Sequence, residues 1–214
     1  MTAIVITRAG PLCTIQDVPR TGMLRHGISA SGPMDAAAYA RAGRRAGGAG
    51  GIEFTTAGVG FVVEGGAVGA GLDGGAFTLS INGAKADWPA LVALKEGARV
   101  EITPGAWGNY GYVRFDRDLN IVPVLGSRTT NSIARLGGLD GRALRAGDRV
   151  ELGSGVGTGT GSRPEAVPPA DGPIRVVWGL HADLFATETR ARFSCTASPG
   201  RYRYSDLPGS WHRE

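Results

Sequence analysis

The sequence has little cysteine and no apolar run long enough to cross a membrane. Its two cysteines, Cys13 and Cys195, lie far apart and form neither a CxxC pair nor a metal-ligand spacing. Two reduced thiols are therefore expected, and neither a disulfide nor a metal site is predicted. The first residues lack the basic start and apolar core of a signal peptide, and no run approaches the roughly 20 residues of a membrane helix. These absences predict a cytoplasmic protein.

Lysine is also scarce, although the chain is basic. The formal net charge is +4, and all but two of the 23 basic residues are arginine. The arginines alternate with Asp and Glu, as in residues 114–118, and form no basic helix. Because nucleic-acid-binding proteins concentrate positive charge in a stripe, the sequence argues against such a partner. An anionic small substrate or an acidic protein partner stays open.

Glycine, by contrast, is abundant: 36 of the 214 residues are Gly, against a usual share of about 7%. Short apolar or alternating runs between glycines predict a mainly β chain with many tight turns. The predicted strands are Ala3–Thr7, Gly60–Glu64, Ala76–Ile81, Ala98–Thr103, Tyr110–Phe115, Asp148–Leu152 and Ile174–Trp178. Asn82-Gly83, directly after the third of these, predicts a two-residue hairpin turn because both residues accept a positive φ.

Two short helices and two glycine-rich segments complete the pattern. Asp35 begins an Ala-rich run that ends with two arginines before Gly47, which combines an N-cap, cations at the C-terminus and a glycine stop. The second helix is expected at about Ala182–Phe193, with Asp183 as a possible cap. Gly153–Pro173 is interpreted as a linker, since its alternating glycines precede no GK[ST] motif. Gly65–Gly75 is interpreted as tight turns between strands.

Three blocks of sequence carry a family resemblance. Residues 10–35 contain QDVPRTG and SGPMD, residues 51–60 read GIEFTTAGVG, and residues 126–148 read GSRTTNSIARLGGLDGRALRAGD. Together they resemble the biotin-dependent carboxyltransferase family. That family includes allophanate hydrolase subunit 2, the C component of bacterial 5-oxoprolinase, and the Kip-type antagonist of a kinase inhibitor. The resemblance covers roughly residues 2–193.

The resemblance implies a mainly β, cyclophilin-like β-barrel fold in two related subdomains with short helices. The boundary is placed so that residues 1–118 form the first subdomain and residues 119–214 the second, which includes the Gly/Pro-rich loop 153–173. Family members continue past the second helix into a strand and an Asp-Arg-Met-Gly motif. This chain has neither pattern after about Ser194. The departure favours a truncated or frameshifted end over a natural one. Such an end leaves the second subdomain incomplete and its strand edges exposed.

The resemblance also implies a function. The chain is expected to be a C-component-like part of an ATP-dependent 5-oxoprolinase, which opens 5-oxoproline to glutamate. Its expected partners are a B-component-like protein, of the Kip-inhibitor type, and an A-component-like protein, with ATP bound at the shared complex. The alternatives are a non-catalytic antagonist that binds a Kip-type kinase inhibitor, and an allophanate hydrolase-related carboxyltransferase subunit of urea metabolism. This chain has no biotin attachment site, because it lacks an Ala-Met-Lys-Met stretch and its only lysines are Lys85 and Lys95.

Eight side chains in the first and third blocks are candidates for the site. The catalytic candidates are Asp17, His26 and Asp35, and the substrate-binding candidates are Gln16, Arg20, Ser31, Ser127 and Arg128. Arginine suits a carboxylate substrate because its guanidinium binds carboxylates through two hydrogen bonds. His26 can act as an acid or base near neutral pH. Free N–H groups at a helix N-terminus, here after Ser31, suit an anion.

Each candidate also has a structural interpretation. Asp17 and Arg20 can form a local ion pair that pins the loop, and Asp35 can simply cap the first helix. Arg128 can pair with Asp140 or Asp148 inside the third block. His26 is expected to be a structural hydrogen-bonding residue, and no HxH or HExxH spacing supports a metal site.

Overall fold

The computed structural model describes residues 1–155, 157, 159, 178–191, 195–198 and 201–204. The chain divides into two compact units, Met1–Ala166 and Val167–Glu214. The predicted loop 153–173 and the predicted strand 174–178 lie almost entirely outside the described residues.

The first unit is built mainly from strands. They are β1 (Ala3–Ala9), β2 (Thr14–Gln16), β3 (Gly51–Thr55), β4 (Val59–Glu64), β5 (Val68–Ile81), β6 (Ala84–Ala86), β7 (Ala90–Leu94), β8 (Arg99–Phe115) and β9 (Arg149–Glu151). A 3-10 helix covers Leu24–His26, and the helix α1 covers Ala36–Ala46. The described strands of this unit form one sheet, in which the pairs are antiparallel.

Two long strands make the sheet curl. The path runs β2-β3-β8-β4-β1-β9, and β5 pairs with β8 and also with β6 and β7. One end of β8 lies between β3 and β5, while its other end lies between β4 and β5. The β5–β8 register shifts between Gly74 and Ala76 and again between Ala76 and Thr78. Such irregularities bend a sheet, and the result is a curled half-barrel, which confirms the predicted mainly β fold.

The larger of two apolar clusters among the described residues lines the curled sheet, and the smaller one packs α1 on it. Edge-to-face ring pairs run through the larger cluster, with centroids 5.0 Å apart for Phe54 and Phe77 and 6.1 Å apart for Phe61 and Phe115. This core also takes in buried side chains that follow the predicted boundary at residues 118 and 119, namely Leu119, Leu144, Val150 and Leu152. Because β9 pairs with β1, these later residues close the same core. The subdomain boundary itself stays a prediction.

The helix α1 forms as its sequence predicts. Asp35 is its N-cap and accepts a hydrogen bond of 2.9 Å from the Ala38 N–H, and Gly47 ends it with a φ of 102°. The helix packs on β5 at Gly71, where a Cβ atom would overlap the carbonyl oxygen of Ala42. A glycine at this position therefore allows the helix to approach the sheet.

The hairpin turn is also confirmed, whereas one glycine-rich segment was interpreted wrongly. Asn82 and Gly83 have φ values of 53° and 82° and connect β5 to β6. The predicted turns over Gly65–Gly75 are restricted to Gly65 and Gly66, and Val68 begins β5. The later glycines serve strand packing against α1 and the bulge at Gly74, so they do not interrupt the strand.

The second unit contains short elements. A 3-10 helix covers Ala182–Leu184, the helix α2 covers Thr187–Ala191, and β10 (Cys195–Ser198) pairs with β11 (Arg201–Tyr204). The predicted continuous helix over 182–193 is broken at Phe185, whose backbone is extended. The tail, predicted to have no strand, forms this hairpin. Across the described part of the chain, no helix has both the length and the apolar character needed to span a membrane.

Candidate functional site

The first and third sequence blocks meet at an ion pair between Asp17 and Arg128. Oδ2 of Asp17 accepts hydrogen bonds of 3.2 Å from the Arg128 backbone N–H and from its Nη1. The Asp17 N–H donates to Oγ1 of Thr129 at 2.9 Å. The Asp17 side chain is 7% exposed, but that of Arg128 is 20% exposed. The pair therefore presents its cation, and not its anion, to the surface.

Arg128 has one donor that the protein leaves available. Its Nε donates to the Ile121 carbonyl at 3.0 Å, and its Nη1 binds Asp17. Its Nη2 makes no hydrogen bond to the residues that the structure describes. A guanidinium held on two sides is preorganised, so little further side-chain entropy is lost when it binds a carboxylate.

Arg20 is buried and binds the backbone around the start of the third block. It is 1% exposed, and its Nε donates to the Val124 carbonyl at 2.9 Å. Its Nη2 donates to the carbonyls of Ser127 and Thr129 at 3.1 and 3.0 Å. Its Nη1 is buried without a partner among the described residues. Arg20 thus cross-links the QDVPRTG motif to the segment that carries Arg128.

Ser127 completes this cross-link. Its Oγ donates to the Val18 carbonyl at 2.6 Å and accepts from the Thr129 N–H at 3.0 Å. It follows a tight turn at Leu125 and Gly126, both at positive φ. Because Ser127 is fully buried, its hydroxyl holds the two motifs together inside the protein.

A second cluster lies on the strand pair β3–β8. Glu53 and Tyr112 are directly opposite each other in the register. Oε2 of Glu53 accepts from the Met34 N–H at 2.7 Å and from the Tyr112 hydroxyl at 2.9 Å. The same hydroxyl accepts from the Asp35 N–H at 2.6 Å. These two side chains therefore bind consecutive backbone N–H groups at the end of the SGPMD motif.

Gln16 links the two clusters. It precedes Asp17, and its Nε2 donates to Oγ1 of Thr14 at 3.0 Å and lies 3.5 Å from Oε1 of Glu53. Its carbonyl accepts a hydrogen bond of 2.8 Å from the Tyr39 hydroxyl. Its buried Oε1 has no hydrogen-bond partner among the described residues.

The other sequence candidates lie at the edge of these clusters. Ser31 is half-buried and has a φ of 55°, which marks a turn before the SGPMD helix start. Asp35 is exposed and caps α1, as its structural interpretation predicted. His26 is exposed on the 3-10 helix, where it accepts a hydrogen bond of 3.1 Å from Arg25. The structure thus joins Asp17, Arg20, Ser127 and Arg128 through hydrogen bonds, with Gln16 directly before Asp17, and leaves Ser31, Asp35 and His26 outside that set of contacts.

Two expected ion pairs are replaced by others. Asp17 pairs with Arg128, and Arg20 binds backbone carbonyls, so the local Asp17–Arg20 pair was a wrong expectation. Asp148 pairs with Arg142 at 2.7 Å, and not with Arg128. The physical reason is chain reversal at the turn before Ser127, which brings Arg128 back beside the first block.

Burial dominates the electrostatics of the second cluster. Burial raises the pKa of the Glu53 carboxyl, although the hydrogen bonds from Met34 and Tyr112 oppose the rise. Burial likewise raises the pKa of the Tyr112 and Tyr39 phenols. Outside this cluster, burial raises the pKa of the Cys13 thiol to about 12, which keeps it protonated and unreactive. Within the described residues, no three His, Cys, Asp or Glu side chains are placed to hold a metal ion.

Neither Tyr112 nor Glu53 is among the site candidates derived from the sequence. Tyr112 lies in the predicted strand Tyr110–Phe115, and Glu53 lies in β3. As cross-strand partners, they face the same side of the sheet. The signal available in the sequence was the alternation of side chains between the two faces of a strand. It could not pair the two residues, because the β3–β8 register joins positions 59 residues apart.

Comparisons with known proteins agree with this architecture. Residues 26–198 match the family model described as carboxyltransferase domain, subdomain A and B. The chain is 31% identical over 178 residues to the urea amidolyase of Lachancea kluyveri, covering 79% of this chain and 10% of that protein. It is 30% identical over 186 residues to the C subunit of 5-oxoprolinase from Escherichia coli (strain K12), covering 81% of this chain and 54% of that protein.

A solved structure has the same fold. The crystal structure of the K. lactis urea amidolyase superposes with a TM-score of 0.77 at 24% identity, over 99% of this chain and 14% of that chain. The chain therefore spans about half the length of the 5-oxoprolinase protein and about a tenth of the urea amidolyase of L. kluyveri. Both the family match over residues 26–198 and the three sequence blocks lead to one assignment: the chain belongs to the carboxyltransferase domain family, subdomains A and B.

Proposed function

We propose that the chain is a C-component-like part of an ATP-dependent 5-oxoprolinase. In this role it acts with B-component-like and A-component-like partners, and water is added across the lactam C–N bond of 5-oxoproline to give glutamate while ATP is hydrolysed. The similarity to the C subunit of 5-oxoprolinase over 81% of this chain supports the proposal. Binding of ATP is assigned to the assembled complex.

The observation that carries the proposal is the available Nη2 of Arg128. 5-Oxoproline is a small anion with one carboxylate, and a guanidinium is well matched to a carboxylate. Asp17 and the Ile121 carbonyl hold the other donors of Arg128. Asp17 in this arrangement neutralises and orients the arginine, and the substrate carboxylate binds on its exposed side. Arg20 and Ser127 hold the segment that carries Arg128 through buried hydrogen bonds, and Gln16 directly precedes Asp17.

The experiment is reconstitution with the partner chains. The chain is co-expressed with B-component-like and A-component-like proteins, the complex is isolated by size exclusion, and ATP hydrolysis is measured with and without 5-oxoproline. The proposal expects a stable complex whose ATP hydrolysis depends on 5-oxoproline. A stable complex without such turnover contradicts it and favours the Kip-type antagonist, which binds a partner without catalysis.

A second function is favoured by the match to urea amidolyase, at 31% identity over 178 residues. In this alternative the chain is part of a carboxyltransferase that moves a carboxyl group from carboxybiotin to urea. In this alternative the biotin is carried outside these 214 residues, since Lys85 and Lys95 lie outside any biotin-attachment motif. Urea is neutral, so it does not need the Arg128 charge for binding. Urea-dependent turnover with a biotinylated carrier, unaffected by 5-oxoproline, distinguishes this function from the first.

A further inference from the structure

Two side chains of the sheet hold the backbone that leads into α1. Glu53 and Tyr112 are cross-strand partners in the β3–β8 register, and such partners project to the same face of a sheet. They bind the N–H groups of Met34 and Asp35, respectively, and each other. We call Glu53 and Tyr112 the strand clamp. It holds residues 31–35, in which Ser31 and Gly32 both have positive φ.

The strand clamp holds the loop with a buried carboxyl group, and burial of such a group costs free energy. Glu53 is 7% exposed, and its described hydrogen-bond partners are two neutral donors and the Gln16 amide. Burial of a carboxylate without a cation disfavours its charged form, which is the direction in which the pKa of Glu53 is shifted. A buried ionisable group of this kind is a candidate for a functional role.

The strand clamp is physically continuous with the Asp17–Arg128 pair. Gln16 contacts Glu53 through its side chain and precedes Asp17. Tyr39, on α1, packs edge-to-face on Tyr112 with ring centroids 5.6 Å apart. Its hydroxyl donates a hydrogen bond to the Gln16 carbonyl. These contacts connect residues 31–35 and α1 to the end of β2, directly before Asp17.

We propose that Glu53 and Tyr112 are positioning residues, which set residues 31–35 and the strand end at Gln16 and Asp17 in the geometry that the substrate site requires. This inference rests on the proposed 5-oxoprolinase function. Neither side chain contacts the substrate in this proposal. Their effect passes through the backbone N–H groups of Met34 and Asp35 and through the amide of Gln16.

The test uses four variants in the reconstituted complex. Tyr112→Phe deletes only the hydroxyl, and Tyr110→Phe is the matched control, because the structure gives that hydroxyl on the same strand no hydrogen bond to a described residue. Glu53→Ala removes the carboxylate. Glu53→Gln keeps an acceptor for the Met34 N–H and the Tyr112 hydroxyl, and its new amide can donate to the Gln16 Oε1 if that side chain flips.

The kinetic measurement separates positioning from general damage. We expect Tyr112→Phe and Glu53→Ala to raise the KM for 5-oxoproline about tenfold to a hundredfold, as expected when one or two hydrogen bonds that hold residues 34 and 35 are lost. The KM for ATP is expected to stay unchanged. Glu53→Gln should remain within about threefold of wild type. Equal losses for both substrates, or a Glu53→Gln variant as impaired as Glu53→Ala, overturn the proposal.

A second measurement does not depend on substrate. Amide hydrogen exchange over residues 31–40 should be faster in Tyr112→Phe than in Tyr110→Phe, while exchange in β1 and β4 stays the same. Unchanged exchange over residues 31–40 overturns the proposal, whether or not the complex is active. If the wild-type complex lacks 5-oxoproline-dependent turnover, the proposed function fails on that result alone, and the exchange comparison still decides whether the strand clamp holds this segment.

Discussion

Asp17 accepts hydrogen bonds from both the backbone and the guanidinium of Arg128, a residue 111 positions later in the chain. The contact joins the QDVPRTG motif to the start of the third block. It also leaves the cation more exposed than the anion. Arg20, in the QDVPRTG motif, joins the same two segments, because it donates hydrogen bonds to the carbonyls of Val124, Ser127 and Thr129. One arginine therefore supports the segment, and the other faces the surface.

Arg20→Lys should destabilise the protein strongly. Lysine has one ammonium group and cannot reach the carbonyls of Val124, Ser127 and Thr129 together, so buried acceptors lose their donors. We expect the free energy of unfolding to fall by about 3–5 kcal/mol. Urea denaturation followed by tryptophan fluorescence measures it. A change below about 1 kcal/mol contradicts a buried cross-linking role for Arg20.

Asp73→Asn tests how α1 is attached to the sheet. Asp73 is buried on β5 and pairs with Arg45 and with Arg41, the latter at 2.7 Å. Removing its charge leaves the buried Arg45 cation uncompensated, and we expect a loss of about 3–5 kcal/mol. The control is Glu64→Gln, which breaks the exposed pair with Arg149 and should cost about 0–1 kcal/mol. Equal effects in the two variants contradict this assignment.

Substitution of two glycines, Gly71 and Gly83, distinguishes the cost of lost close packing from the cost of a strained backbone. Gly83 has a φ of 82° with open space around it, whereas a Cβ atom at Gly71 would overlap the Ala42 carbonyl. Gly83→Ala should cost about 1 kcal/mol through the positive φ alone. Gly71→Ala should cost more, about 2–4 kcal/mol, because α1 must move from the sheet. Thermal unfolding of the two variants compares them, and a smaller loss at Gly71 rules out this explanation.

The carboxyl of Glu53 should make stability depend on pH. Its pKa is raised in the folded protein, mainly by burial, above the ordinary value of 4.5. The folded state therefore binds the proton more tightly than the unfolded state, so the stabilising contribution is present below the unfolded pKa and is lost as pH rises through the folded pKa. Relative to Glu53→Gln, wild type should lose stability as pH rises from about 4 towards neutral.

Urea denaturation of both proteins at several pH values measures this difference. The wild-type curve should fall relative to the Glu53→Gln curve over that window, and the two should be parallel at higher pH. Curves that stay parallel throughout, or a wild type that gains stability with rising pH relative to the variant, contradict the raised pKa of Glu53.

Local features of the fold were predictable from the sequence. The N-cap at Asp35, the glycine stop at Gly47 and the Asn82-Gly83 turn each depend on a few neighbouring residues, and the structure confirms all three. The interpretation of Gly65–Gly75 failed because the same residue type serves turns and close packing. Which role applies to Gly71 depends on α1, an element far from it in sequence.

The sequence motifs identified candidate residues but not the contacts among them. Of the eight candidates, Asp17, Arg20, Ser127 and Arg128 lie in one set of hydrogen-bonded segments, and Gln16 directly precedes Asp17. Ser31, Asp35 and His26 lie outside it, and a substrate-binding role for any of the eight stays a prediction. The contacts within that set follow from strand register and from the reversal at Leu125-Gly126, which no short-range pattern specifies. For the same reason Tyr112 could not be matched with Glu53.

The central claim is that the exposed side of Arg128 binds the carboxylate of the substrate. Its most direct measurement compares Arg128→Ala with Arg145→Ala in the reconstituted complex, because Arg145 is an exposed arginine of the same block whose side chain makes no hydrogen bond to a described residue. Arg128→Ala should raise the KM for 5-oxoproline about a hundredfold or more, while Arg145→Ala behaves as wild type. An unchanged KM in Arg128→Ala would contradict the claim.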